Sequence, residues 1–132
     1  MTEAAPYLID TTVLIDMTRR REPVRSWLDD TLRTPAVVAV SVVSIAETLA
    51  GTAPFDRVPT RRFFRSLAIW PVTEEIAVAA GIMRYDRARR GFALHTPDAL
   101  IAATALTIAA VLVTSNVRHF QELGIPVLDV RA

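Results

Sequence analysis

Apolar positions along this chain fall into two rhythms. Short unbroken runs have the length and β-branched content of buried strands: Tyr7-Leu8-Ile9, Val37-Val38-Ala39-Val40, Leu67-Ala68-Ile69-Trp70, Val111–Thr114 and Val127-Leu128. Between them lie segments with helix start and stop signals. Thr11 or Thr12 can cap a short helix through Asp16. Pro23 suits the first turn of a helix over Glu22–Leu32. Ser44 caps a helix over Ile45–Ala50 that Gly51 stops. A loop carrying proline and arginine leads to a helix near Thr60–Ser66. Thr73 caps a long amphipathic helix ending near Arg90, with Gly91 as its stop. Thr96 caps and Pro97 opens a helix running to about Ala110, and Asn116 can cap a short turn through Leu123.

Strands thus alternate with helices, and the strands are too apolar to leave one face in water. That pattern predicts an α/β domain with a central parallel β-sheet flanked by helices on both faces. In such sheets the functional crevice lies beyond the carboxyl ends of the strands. Asp10, Ser41 and Thr114–Asn116 fall there.

Length and composition narrow the choice. At 132 residues with 52% apolar content, the chain predicts one domain over residues 1–132, with enough apolar surface for a core. Residues 91–117 contain one charge, Asp98, and the run from Ala99 to Val117 has none. Threonines, Ser115 and Asn116 interrupt that run, so it reads as a buried helix and strand rather than a membrane span. Met1–Pro6 carries no basic region ahead of an apolar segment, which predicts no signal peptide and a soluble cytoplasmic protein. All 15 basic residues are arginine, against 14 acids, for a net charge of +1. With no lysine and no cysteine, Walker-type phosphate loops, Schiff bases, disulfides, zinc ribbons and thiol nucleophiles are excluded. Two histidines, His95 and His119, exclude an all-histidine metal cage.

The most informative feature is where charge is missing. Residues 4–15, 34–55 and 91–117 make up 61 positions with three charges, all acidic: Asp10, Glu47 and Asp98. An ionised carboxylate in apolar surroundings is costly unless compensated, and none of the three has a local arginine. A helix dipole at Asp98 offers only about 0.3–1 kcal/mol. Three converging acids need a cation among them, and carboxylate sites select hard divalent ions such as Mg²⁺ or Mn²⁺. Asn116 adds a neutral oxygen, and Thr12 and Thr114 add hydroxyls to orient the ligands. The candidate metal site is therefore Asp10, Glu47, Asp98 and Asn116. Taken singly, Asp10 also reads as a turn acid, Asp98 as a first-turn helix acid and Asn116 as a helix cap.

Four segments resemble the motifs of PIN-domain ribonucleases. They are Leu8-Ile9-Asp10-Thr11-Thr12-Val13-Leu14-Ile15-Asp16, Ser44-Ile45-Ala46-Glu47-Thr48-Leu49-Ala50-Gly51, Thr96-Pro97-Asp98-Ala99-Leu100-Ile101-Ala102-Ala103-Thr104-Ala105 and Leu112-Val113-Thr114-Ser115-Asn116-Val117-Arg118-His119-Phe120. Their order and spacing resemble those of single-domain VapC-type toxins over essentially the whole chain. The resemblance implies a PIN fold, Mg²⁺- or Mn²⁺-dependent RNA cleavage leaving a 5′-phosphate and a 3′-hydroxyl, a VapB-type antitoxin partner and a homodimer. It implies Asp10, Glu47, Asp98 and Asn116 as catalytic and metal-binding residues. Thr12 stands where the family often has Asn or Ser, and Asn116 where many members have Asp.

Eleven arginines fall in three clusters: Arg19–Arg21; Arg57, Arg61, Arg62 and Arg65; and Arg84, Arg87, Arg89 and Arg90. The last is the candidate RNA-binding cluster, since arginine suits phosphate contacts and stacking on unpaired bases. Solvated helix faces, or pairs to Glu74, Glu75 and Asp86, are the alternative. Other functions are a degenerate PIN domain that binds RNA or protein without cutting, and a metal-free nuclease using His95 and His119. Haloacid-dehalogenase phosphatases and response-regulator receivers share an Asp-Thr opening but use a lysine near the site.

Overall fold

The computed structural model describes residues 4–131. In chain order the elements are β1 (Tyr7–Ile9), α1 (Thr11–Thr18), α2 (Val24–Leu32), β2 (Val38–Ser41), α3 (Val42–Ala50), a 3-10 turn (Pro54–Asp56), α4 (Arg57–Phe64), β3 (Ala68–Trp70), α5 (Glu74–Arg89), α6 (Thr96–Thr107), β4 (Val111–Val113), α7 (Val117–Phe120) and β5 (Val127–Leu128). Residues 1–3 and 132 lie outside the described residues. They include part of the segment read for a signal peptide and both ends of the expected 1–132 domain.

All strand pairs are parallel, and the sheet order is β3-β2-β1-β4-β5. β1 lies at the centre, with Leu8 opposite Ala39 on one side and Leu112 on the other. Strand side chains alternate between faces, and this decides what each face buries. Ile9, Val38, Val40 and Val113 pack with Val13 and Leu14 of α1, Val24 and Leu28 of α2, and Phe64 of α4. Leu8, Ala39 and Leu112 pack with Ile101, Ala102 and Ala105 of α6 and with Phe120 of α7. α5 forms an outer layer, with Ile76 and Ala80 against Ala99 and Ala103 of α6. Helices thus cover both faces, as the apolar strands predict. Among the described residues, no helix is long and apolar enough to cross a membrane.

Several local expectations change. Asp10, rather than Thr11 or Thr12, occupies the N-cap position of α1. Ser41, rather than Ser44, caps α3 by accepting from the Val43 N–H at 3.1 Å. α2 starts at Val24, with Pro23 just ahead of it. Thr96 and Pro97 are the first two residues of α6, and His95 precedes them without a side-chain cap. The strand expected to be buried at Leu67–Trp70 lies at a sheet edge, paired on one side only among the described residues, and Ile69 and Trp70 are exposed. α5 is less cleanly two-faced than expected, since Val78, Ile82 and Tyr85 are exposed. Thr73 and Gly91 act as expected. The Thr73 hydroxyl accepts from the Ile76 N–H, and Gly91 takes a φ of 85° just past α5, a conformation open to glycine.

Candidate active site

Asp10 sits where β1 gives way to α1, with its N–H donating to the Val113 carbonyl of β4 at 2.9 Å. Strand pairing therefore fixes its backbone, and the carboxylate is almost wholly buried. Its Oδ2 accepts from the hydroxyls of Thr114 (2.7 Å) and Thr12 (3.1 Å). Those two hydroxyls also accept backbone N–H groups from the β4–α7 loop: Asn116 N–H to Thr114 Oγ1 at 3.0 Å and Ser115 N–H to Thr12 Oγ1 at 3.2 Å. Two threonines thus clamp one carboxylate oxygen to the loop that carries Asn116.

Burial pushes the Asp10 carboxyl above its ordinary value, and the negative charge of Asp98 adds to the rise. Hydrogen bonds from Thr114, the Thr11 backbone and Thr12 act in the opposite direction without cancelling it. The fold therefore brings a buried acid into the field of a second acid.

Asp98 lies in the first turn of α6, half-buried, with Oδ2 3.0 Å from His119 Nδ1. Glu47 lies on α3 and is exposed. Its Oε1 accepts from the Thr11 hydroxyl at 2.7 Å, and Thr11 Oγ1 is 3.0 Å from the buried Ser44 hydroxyl. Ser44 and Glu47 are three apart on one helix, hence on one face. Asn116 precedes α7 and is exposed; it makes no side-chain capping bond, contrary to the capping reading.

The acids that stand alone in sequence are thus linked unequally. Asp10 and Asp98 interact through their charges, Thr12 and Thr114 hold Asp10, and Glu47 joins through Thr11 beside Asp10. Among the described residues, no three His, Asp or Glu side chains gather closely enough to form a ready metal cage. The donor set still suits a hard divalent cation: it consists of oxygens only, and a cation would relieve the burial and repulsion borne by Asp10.

The candidate RNA-binding arginines each have their own partners. The Arg84 Nε donates to the Leu94 carbonyl at 2.8 Å. Arg87 is buried, 3.6 Å from Glu122 and 4.5 Å above the Phe92 ring. Arg89 lies over the Tyr85 ring and bonds its hydroxyl. Arg90 borders a cavity of about 440 Å³ between α5 and Glu122–Leu123. Two features escaped the sequence reading. The sequence pairs His119 with His95 and makes Ser44 a cap, whereas the fold sets His119 against Asp98 and Ser44 against Thr11. Both partners come from other helices, and only the isolation of each acid hinted that one was needed.

A PIN domain model matches residues 7–125. Ribonuclease VapC10 of Mycobacterium tuberculosis is 40% identical over 115 residues, covering 86% of this chain and 84% of that protein. Ribonuclease VapC19 of the same organism is 36% identical over 115 residues, covering 86% and 90%. A toxin–antitoxin complex from Klebsiella pneumoniae superposes with a TM-score of 0.77 at 28% identity, over 96% of this chain and 98% of that one. The family match and the likeness of the parallel sheet to solved toxin structures define a PIN-fold domain. The chain belongs to the PIN-domain family, among the VapC ribonucleases.

Proposed function

We propose that the protein is a divalent-metal-dependent endoribonuclease and the toxin of a VapBC module, with Asp10, Glu47, Asp98 and Asn116 as its catalytic and metal-binding set. The observation that carries this reading is the like-charge pair: an Asp10 carboxyl raised chiefly by its burial and further by the charge of Asp98, at the strand ends where α/β folds build their sites. Such unfavourable pairs cluster at functional sites. When bound by these oxygens, Mg²⁺ or Mn²⁺ supplies Lewis acidity toward the phosphate and lowers the pKa of a water.

The chain's own residues do the rest. Thr12 and Thr114 hold one oxygen of Asp10 and fix its plane. His119 holds Oδ2 of Asp98, the acid assigned to orient and deprotonate the attacking water. Thr11 steadies Glu47 toward the same crevice. The products are a 5′-phosphate and a 3′-hydroxyl. A VapB-type antitoxin is the proposed partner, as the relatives' names and the Klebsiella complex suggest. Exposed Val58 beside Arg61, Arg62 and Arg65 suits an acidic amphipathic segment. The apolar exposed side of α5 (Val78, Ile82, Tyr85) suits a homodimer interface.

The second reading, a PIN domain that binds without cutting, draws on the exposure of Glu47 and the lack of a ready three-acid cage among the described residues. Incubation with total RNA and mapping of the new ends separates the two. Cleavage that EDTA abolishes, Mn²⁺ restores and Asp98→Asn removes is the expected result. RNA left intact by the metal-loaded protein, or cut equally well by Asp98→Asn, rejects the nuclease assignment.

A further inference from the structure

A second cavity, of about 190 Å³, opens directly beside Asp98. Arg87, Phe92, His95, Asp98, Arg118 and His119 are among the residues that line it. Three observations say what it takes. Arg87 is only 6% exposed, and its Nε and Nη1 make no hydrogen bond. Buried polar groups are rarely left unpaired, least of all a permanent cation. Its one ion pair among the described residues joins Nη1 to Glu122 at 3.6 Å, beyond hydrogen-bond length, and Glu122 is mostly exposed. Next, α6 starts at this cavity, and His95 ahead of it provides no side-chain cap, so the positive end of a 12-residue helix adds to the attraction for an anion. Last, Phe92 is 52% exposed, with the Arg87 guanidinium 4.5 Å from its ring centroid. One ring face is backed by that cation and the rest is open to stacking.

Cation, helix end and half-exposed aromatic together match a phosphate with a planar group attached. We infer that this cavity holds one unpaired nucleotide of the RNA next to the scissile phosphate, with its phosphate on Arg87 and Arg118 and its base on Phe92. Unpaired bases are what aromatic and guanidinium planes recognise in RNA. This assignment rests on the nuclease reading. Arg84 supports the cavity from outside by holding the Leu94 carbonyl in the loop that carries Phe92.

The test is binding of a fluorescent single-stranded oligoribonucleotide in EDTA, followed by anisotropy over a range of salt, with metal-dependent cleavage measured in parallel. Arg87 is too buried to substitute safely, so the exposed wall is changed instead. Phe92→Ala is expected to weaken binding by at least about fivefold, the low end of a lost base stack. Arg118→Gln is expected to weaken it and to lower the salt slope by about 0.7, the loss of one single-strand phosphate contact. Phe92→Ala should leave that slope unchanged.

Variants that bind as tightly as the wild type, or a wild type that cuts RNA but does not bind the oligonucleotide, overturn the nucleotide cavity and leave the nuclease reading intact. A wild type that neither binds nor cuts overturns both. Phe92- and Arg118-dependent binding of an acidic peptide, without binding of RNA, assigns the cavity to a protein partner and overturns it as well.

Discussion

Asp10 shows how one side chain can weaken the fold while equipping the site. Burial and the Asp98 charge raise its pKa above the ordinary 3.8. Between that value and the raised one, the folded protein binds more protons than the unfolded chain. Stability therefore falls as pH rises through this window and stays reduced above it. Asp10→Asn keeps an acceptor for the Thr12 and Thr114 hydroxyls and removes the charge. In EDTA at pH 7 the variant is expected to melt at a higher temperature than the wild type, with the gain shrinking as pH approaches 3.8. Thermal scans between pH 7 and pH 4 check this, and a lower melting point at pH 7 would refute it. Asp10 was legible in the sequence because its neighbours bear no charge. The roles of Thr12 and Thr114 were legible only as hydroxyls at the right strand ends, because the hydrogen bond from Thr114 to Asp10 spans 104 positions. The pair between Asp16 and Arg131 spans 115 and left no local trace at all.

At the scale of elements, apolar runs located all five strands, since a parallel sheet covered on both faces requires them. Their ends moved by a residue or so, and the caps were less legible. A threonine, serine or asparagine near a helix start does not reveal whether its hydroxyl or amide faces the backbone or another side chain. Ser44 turned toward Thr11 instead. The edge position of β3 was hidden for a related reason: an apolar strand reads the same in the middle of a sheet as at its border. The end of α6 holds a position no sequence rule flagged. Ala109 has a φ of 53°, and the N–H of Ala110 reaches back to the Ala105 carbonyl at 2.9 Å. This is the glycine-type helix stop with an alanine in it, in a conformation that costs a residue with a Cβ roughly 1–2 kcal/mol. Glycine gives back some of that through its freer unfolded chain. Ala109→Gly is expected to stabilise the protein by about 0.5–1 kcal/mol in urea denaturation, and a loss of stability would show that the strain is absent.

Over the whole molecule, charge is sorted. Asp10, Glu47 and Asp98 lie at the carboxyl end of β1 and on helices α3 and α6, while most arginines lie on other helices and their ends, with Arg87 and Arg118 meeting Asp98 at one cavity. The sequence showed this separation but not its use. The cluster at Arg84–Arg90 comprises a loop support, a buried cation, an aromatic stack and a cavity rim, because each guanidinium meets a different partner. Family membership and the Asp10–Asp98 repulsion support a metal nuclease, whereas Glu47 is linked to Asp10 only through Thr11. The account thus depends on whether three carboxylates act as one centre. Calorimetric titration of Mn²⁺ into the wild type and into Asp10→Asn, Glu47→Gln and Asp98→Asn tests this most directly. The account predicts one saturable site in the wild type, with affinity reduced at least about tenfold, or 1.4 kcal/mol, by each substitution. Undiminished Mn²⁺ binding in any one of the three variants, or no binding by the wild type, would contradict it.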